Sequence, residues 1–237
     1  MISILDKLVE AHPEWLRATG KPLSFMKTST PSSGTKADQG KVLIFVFEEG
    51  EKWPTLCVKT TRVYSNGEVI RRNHANLKLL GEGVRNSEHS KMFARPLYLY
   101  DDGEVVFCIE SVCPGTRFPT SGQDIELVME RYIAWQEYLA ETSKKLVQHG
   151  DMTPDNVLIF GKNIYLVDYD YTGMVELPGF DIYNFISKAK LSSELERLYY
   201  DRYFPRYFGS IGMAVKSYED LFPAYHTAEV RRKDGQE

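Results

Sequence analysis

The sequence predicts an α+β chain in two parts: a small antiparallel sheet with few helices, then a mainly helical part that carries one β-hairpin. Three observations predict it. Short apolar runs, each closed by Gly, Pro, Asp or Ser, fill the first half: LSFMKT, KVLIFVF, WPTLCVKT, FARPLYLY and EVVFCI. A long stretch of helical spacing follows from Asp124 to Lys145. The segment His149 to Gly173 then returns to two short apolar runs about a turn. The change of pattern after EVVFCI sets the expected division at 1–109 and 110–237.

Taken in order, Ile4, Leu5, Leu8 and Val9 recur at helical spacing, and Trp15 with Leu16 extends that face beyond Pro13. The segment has few basic residues, which favours packing on a core over a membrane surface. From Leu23 the pattern is strand, small polar loop (STPSSGTKADQG), strand. Trp53 to Thr60 alternates, with Leu56 and Val58 on one face and Cys57 and Lys59 on the other. A helix is expected from Gly67 to Leu80, marked by Val69, Ile70, Leu77 and Leu80 and stopped by Gly81. Phe93 to Tyr100 and Glu104 to Ile109 read as strands about an Asp101-Asp102-Gly103 turn. ESVCPGTRF then breaks the pattern and suits a hinge. In the long helix Ile125, Val128, Met129, Tyr132, Ile133, Trp135, Leu139 and Leu146 are spaced for a buried face, whose aromatic members suit a core or a pocket wall. Asp181 opens a further helix. Leu195, Leu198, Tyr199, Tyr203 and Phe204, with Tyr207 and Phe208 beyond Pro205, form an aromatic cluster suited to packing, and the tail from Arg231 is expected to fray.

Composition narrows the function classes. The chain has 237 residues, of which 43% are hydrophobic, enough for a substantial core. A formal charge of -4 and a pI near 5.8 leave no basic footprint, so nucleic acid is not an expected partner. No apolar run reaches the length of a membrane span, and MISILDKLVEAHPEW interrupts its apolar residues with acids, unlike a secretory signal; a soluble cytoplasmic protein is expected. Cys57, Cys108 and Cys113 lack CxxC spacing, which argues against a disulfide framework and a zinc site and for reduced thiols.

The chemistry concentrates in HGDMTPDNVLIFGKNIYLVDYDYTG. Val157 to Phe160 and Ile164 to Val167 pair across a Gly161 to Asn163 turn. Asp151 and Asn156 precede the first strand and Asp168 follows the second, so antiparallel pairing brings all three to one edge. Carboxylate and carboxamide oxygens are the hard ligands that Mg²⁺ takes beside a multiply charged phosphoryl donor, which suits Asn156 and Asp168. Asp151 suits a base that orients an acceptor hydroxyl and takes its proton. The plain alternative is a surface hairpin whose Asp and Asn serve turns and caps.

His149-Gly150-Asp151, then Pro154 and Asn156, then Val167-Asp168-Tyr169 at a strand end, resembles the aminoglycoside phosphotransferase and choline kinase branch of the protein-kinase-like superfamily. The resemblance implies a bilobal protein-kinase-like fold, with a small antiparallel sheet lobe and a mainly helical lobe. It implies ATP and Mg²⁺ as cofactors and phosphorylation of a hydroxyl on a small molecule such as a sugar, aminosugar or amino alcohol. By it, Asp151 is the catalytic base, Asn156 and Asp168 hold the metal, and Lys59 clamps phosphates. Ser32, Ser33 and Gly34 would form a nucleotide-covering loop, although the segment lacks G-x-G-x-x-G and also reads as a flexible hairpin loop. Backbone groups of Glu110, Ser111 and Val112 would meet the adenine, and His149 and Asp181 would brace the catalytic loop. The pattern departs at the glutamate that partners the lysine. Its place is Asn73, and the remaining candidate is Glu68 in the first helical turn, where an acid is also favoured by the macrodipole. Two rivals stand beside this reading: a protein Ser/Thr kinase of the same fold, and a nucleotide-binding pseudokinase or scaffold.

Overall fold

The computed structural model describes residues 4–19, 25–29, 41–47, 51–119, 122–143 and 146–234. Ser32, Ser33 and Gly34 lie outside the described residues. The chain divides into two compact units, one made of Met1–Gly81 with Ala94–Cys113 and the other of Glu82–Phe93 with Pro114–Glu237. The first unit keeps Glu110 and Ser111, which belong to a strand, while Glu82–Phe93 belongs with the second.

In the first unit α1 (Ile4–Glu10) and α2 (His12–Thr19) precede β1 (Phe25–Ser29), β2 (Lys41–Phe47) and β3 (Leu56–Thr61). Helix α3 (Glu68–Gly83) follows, then β4 (Pro96–Asp101) and β5 (Val106–Ser111). The strands form one sheet in the order β1-β2-β3-β5-β4, antiparallel throughout. Alternation gives this sheet two faces. Ile44, Val46, Leu56, Val58, Phe107 and Ile109 cluster with Leu8 and Ala11 from the leading helices, so that face is covered by core packing as the sequence implied. Val106 and Cys108 point the other way and pack on Ile70 of α3.

Several local expectations shift. The leading helix is broken at Ala11, with Pro13 taken into the first turn of α2 where its missing N–H costs nothing; Leu8 is buried while Val9 is 54% exposed. Trp53 is 77% exposed and precedes the strand, which starts at Leu56. Gly81 does not stop α3, which runs on to Gly83.

In the second unit β6 (Thr116–Arg117), α4 (Gly122–Thr142), β7 (Val157–Phe160), β8 (Asn163–Leu166), α5 (Phe180–Lys188), α6 (Ser193–Ser210) and α7 (Tyr218–Asp234) follow in order. The hairpin β7–β8 forms, but its second strand starts one residue earlier than expected: Asn163 pairs with Phe160, the turn is Gly161-Lys162, and Val157 stands opposite Leu166. The short strand β6, not foreseen, adds to β7 inside the segment read as a hinge. Gly115 permits it: its φ is +122°, and a Cβ there would stand 2.6 Å from the Ile159 carbonyl oxygen. The aromatic members of α4 are core, with Tyr132 and Trp135 fully buried. Helix α6 passes through Pro205, because Tyr203, Phe204, Tyr207 and Phe208 on either side are buried against α4, α5 and α7. Leu195 and Leu198 are instead exposed, at 44% and 59%, and do not join the aromatic cluster.

Candidate active site

The segment before β7 is shaped by one buried carboxylate. Asp181, in the first turn of α5 and 0% exposed, accepts the backbone N–H of His149 at 2.5 Å and of Gly150 at 2.8 Å, and the Tyr132 hydroxyl at 2.9 Å. Burial pushes its carboxyl up, while the His149 charge and these donors pull it back down. Gly150 makes the turn possible, since φ is +79° and a Cβ would lie 2.2 Å from the Tyr171 carbonyl oxygen. The loop is pinned from other sides too. The Gln148 amide donates to the Tyr207 hydroxyl at 3.0 Å, the Gln148 carbonyl accepts the Gly173 N–H at 2.9 Å, and the Asn184 amide donates to the Met152 carbonyl at 3.3 Å. His149 is buried; its ring packs 5.3 Å from the Tyr169 ring, and its carbonyl accepts the Thr172 hydroxyl at 3.4 Å.

From this base the chain presents Asp151, half-buried, followed by a helical turn over Pro154–Asn156. The Asn156 amide nitrogen donates to the Asp151 carboxylate at 3.0 Å and to the Asp151 carbonyl at 2.9 Å. The Asn156 carbonyl accepts the Val167 N–H at 3.0 Å, which ties this turn to the residue before Asp168. Antiparallel pairing thus gathers Asp151, Asn156 and Asp168 at the open end of the hairpin. Asp168 holds φ at +68°, a left-handed conformation that costs a non-glycine residue roughly 1 to 2 kcal/mol. Tyr169 beside it is fully buried, its ring 6.1 Å from that of Phe93. The strained residue is therefore clamped by its neighbours, with its carboxylate half-buried.

The donor chemistry fits Mg²⁺. Because the Asn156 nitrogen is committed to Asp151, its oxygen is the atom of that amide left for a cation. Among the described residues no group of three or more His, Cys, Asp or Glu could hold a metal.

In the first unit Lys59 is buried on β3 and its ammonium lies 2.8 Å from Glu110 Oε1 and 3.2 Å from Asn73 Oδ1. Glu110 of β5 is thus an acidic partner of the lysine. Glu68 is a correction: its side chain is 70% exposed and pairs with Arg71 at 3.5 Å, because the first turn of α3 faces solvent. Two N–H groups of the segment expected to offer backbone groups to a purine are taken by residues flanking the strands: Ser111 donates to the Arg95 carbonyl at 3.0 Å and Val112 to the Thr55 carbonyl at 3.4 Å. Cys57, buried, and Cys113, half-buried, lie near the pair, and burial pushes the Cys113 thiol up to about 12. Tyr132, Gln148, Asn184 and Glu110's side chain were not singled out from sequence for these contacts. A polar atom on an otherwise apolar helical face, as at Tyr132 and Asn184, was the available signal.

No protein-family model matches the sequence, and no curated protein is significantly similar to it. Solved structures are similar. Aminoglycoside phosphotransferase APH(3'')-Id from Streptomyces rimosus, in complex with ADP and streptomycin, aligns over 94% of this chain and 97% of its own with a TM-score of 0.58 at 11% identity. The chain has the fold of the aminoglycoside phosphotransferases. Aminoglycoside-3'-phosphotransferase of type VIII gives a TM-score of 0.56 at 14% identity, over 92% of this chain and 98% of that one. An aminoglycoside 2'-phosphotransferase IIIa variant in its GDP complex gives 0.55 at 8%, over 96% and 93%. At these identities the likeness is one of fold, and the α+β kinase-like architecture read from the HGD and VDY motifs is the one observed.

Proposed function

We propose that this protein is a nucleotide-dependent phosphotransferase that phosphorylates a hydroxyl of a neutral or cationic small molecule such as a sugar, aminosugar or amino alcohol. The observation that carries the reading is the hairpin end, where Asp151 is oriented by Asn156 beside a strained Asp168, on a loop held by the buried Asp181. Asp151 orients the acceptor hydroxyl and takes its proton. Asn156, through its oxygen, and Asp168 hold Mg²⁺, while Lys59, the small polar loop at Ser32, Ser33 and Gly34, and the backbone at Glu110 to Val112, through carbonyls rather than the committed Ser111 and Val112 N–H groups, receive the nucleotide. When bound, the metal and nucleotide supply charge neutralisation and the transferable phosphoryl group. Asp151 and Asp155 add negative charge, which favours a cationic or polyhydroxyl acceptor over an anionic one, whereas Asp170 is buried. Structures of this fold occur with ADP and with GDP, so both triphosphates belong in the assay.

The test is a coupled nucleoside-diphosphate-release screen over sugars, aminosugars and amino alcohols, beside anionic sugars and a generic protein substrate. Asp151→Asn is expected to lower kcat by about 10²- to 10⁴-fold, with nucleotide affinity nearly unchanged. Turnover with protein alone would make the chain a protein kinase. Tight Mg-nucleotide binding without turnover of any acceptor would make it a binding protein.

A further inference from the structure

The register of β3 and β5 sets Lys59 opposite Cys108 and Cys57 opposite Glu110. Residues two apart on a strand share a face, so Lys59 and Glu110 are diagonal neighbours, a separation that long side chains bridge. Their side chains meet on the face that carries α3, and Asn73 of α3 closes the group. Its Oδ1 accepts from the Lys59 ammonium at 3.2 Å, and its Nδ2 donates to Glu110 Oε2 at 3.2 Å. All three are buried, with 9%, 1% and 5% of Lys59, Asn73 and Glu110 exposed, so solvent screens the pair little.

The residue types are matched. A carboxamide carries both an acceptor and donors, and one orientation of Asn73 serves the ammonium and the carboxylate together. A glutamate at 73 could accept from Lys59 but would face Glu110 with like charge. Asparagine on the helix and glutamate on the sheet therefore form one solution, in which the acid has been moved to the neighbouring strand. Strands β3 and β5 are hydrogen-bonded to each other, so the charge pair is fixed by the sheet, and α3 contributes only a neutral bridge.

We propose that Glu110 is a positioning residue that holds the Lys59 ammonium ready for nucleotide phosphates, with Asn73 locking the pair. The inference rests on the phosphate-binding role proposed for Lys59. A lysine held this way is in place before nucleotide arrives, without a helix glutamate having to approach it.

The test uses isothermal titration of the full chain with ADP and with GDP in the presence of Mg²⁺, together with melting curves. Four proteins are compared: wild type, Lys59→Ala, Glu110→Gln, and the double variant Asn73→Glu with Glu110→Gln, which returns the acid to the helix. Lys59→Ala is expected to weaken nucleotide binding by about tenfold or more, and Glu110→Gln by about tenfold; the double variant regains most of that loss. A merely structural role would lower the melting temperature of Glu110→Gln and leave the affinity of its folded fraction unchanged. Weakening in Lys59→Ala with wild-type affinity in Glu110→Gln overturns the positioning role and leaves the phosphate role standing. Unchanged affinity in Lys59→Ala, or no binding of either nucleotide by wild type, removes the phosphate role and this inference with it. Should Glu110→Gln not fold, Glu110→Asp keeps the charge at shorter reach. Intermediate weakening there supports the proposal, and full affinity overturns it.

Discussion

Lys59 and the loop around His149 both depend on a buried carboxylate, and the two carboxylates are held by different means. Glu110 faces a cation, with a neutral amide completing the contacts. Asp181 accepts from two backbone N–H groups and a tyrosine hydroxyl. In the first unit a charge is balanced by another charge, so what is fixed is the position of an ammonium. In the second, the carboxylate is held by the His149 charge and by two backbone donors of the loop itself, and what is fixed is the path of the backbone that delivers Asp151. Two buried acids can therefore serve different ends, and the groups around them tell which.

The difference makes Asp181 the costlier one to remove. Asp181→Ala leaves the His149 and Gly150 N–H groups and the Tyr132 hydroxyl without that acceptor in a dry interior, and is expected to destabilise the protein by roughly 3 to 5 kcal/mol in a denaturant titration. A loss under about 1 kcal/mol would mean that the loop keeps its path without the bracket.

Tyr132→Phe sharpens the contrast by deleting one donor of the three. The hydroxyl's other contact, to the Gln148 side chain, is longer at 3.3 Å. The expected cost is about 1 kcal/mol, with faster hydrogen exchange at the His149 and Gly150 amides. Unchanged exchange there would show that the two backbone donors suffice.

How much of this was legible follows from distance along the chain. The hairpin end was readable because Asp151, Asn156 and Asp168 flank two adjacent strands, and antiparallel pairing alone brings them together. Alternation in WPTLCVKT put Lys59 on the face away from Leu56 and Val58, as observed. Its partner was not readable. Glu110 reaches Lys59 only because β5 inserts between β3 and β4 in the sheet, a long-range choice that no local period records. Tyr132 was similarly hidden, since its ring obeys the apolar spacing of α4 while its hydroxyl serves a residue 49 positions away. The α3 boundary moved because a helical Gly81 with nothing within 4 Å of its Cβ position has no steric reason to end the helix.

A smaller effect separates charge from packing within α3. His74 is buried, and burial, with a contribution from Lys78, holds its pKa below the ordinary histidine value. The unfolded chain then binds the proton more readily, so this stability is full above the ordinary histidine pKa and is lost as pH falls through the depressed value. The melting temperature should drop over that window, and His74→Gln should flatten the drop. A slope unchanged by the substitution would assign the acid sensitivity to other groups.

The smallest effect is expected from Glu68, and it bears most directly on how Lys59 is held. Glu68 sits on the solvent side of the first turn of α3, beside Arg71, and Arg71 has a nearer partner in Asp101 at 2.6 Å. Removing an exposed carboxylate at i,i+3 from an arginine already paired elsewhere takes away a screened contact and a helix-end charge, both weak. Glu68→Ala should therefore leave the melting temperature and the nucleotide affinity at wild-type values, while Lys59→Ala weakens binding. Equal losses from the two substitutions would mean that α3 supplies the lysine's acid after all, by rotating its first turn inward when nucleotide binds, and the sheet-held pair would then describe only the nucleotide-free protein.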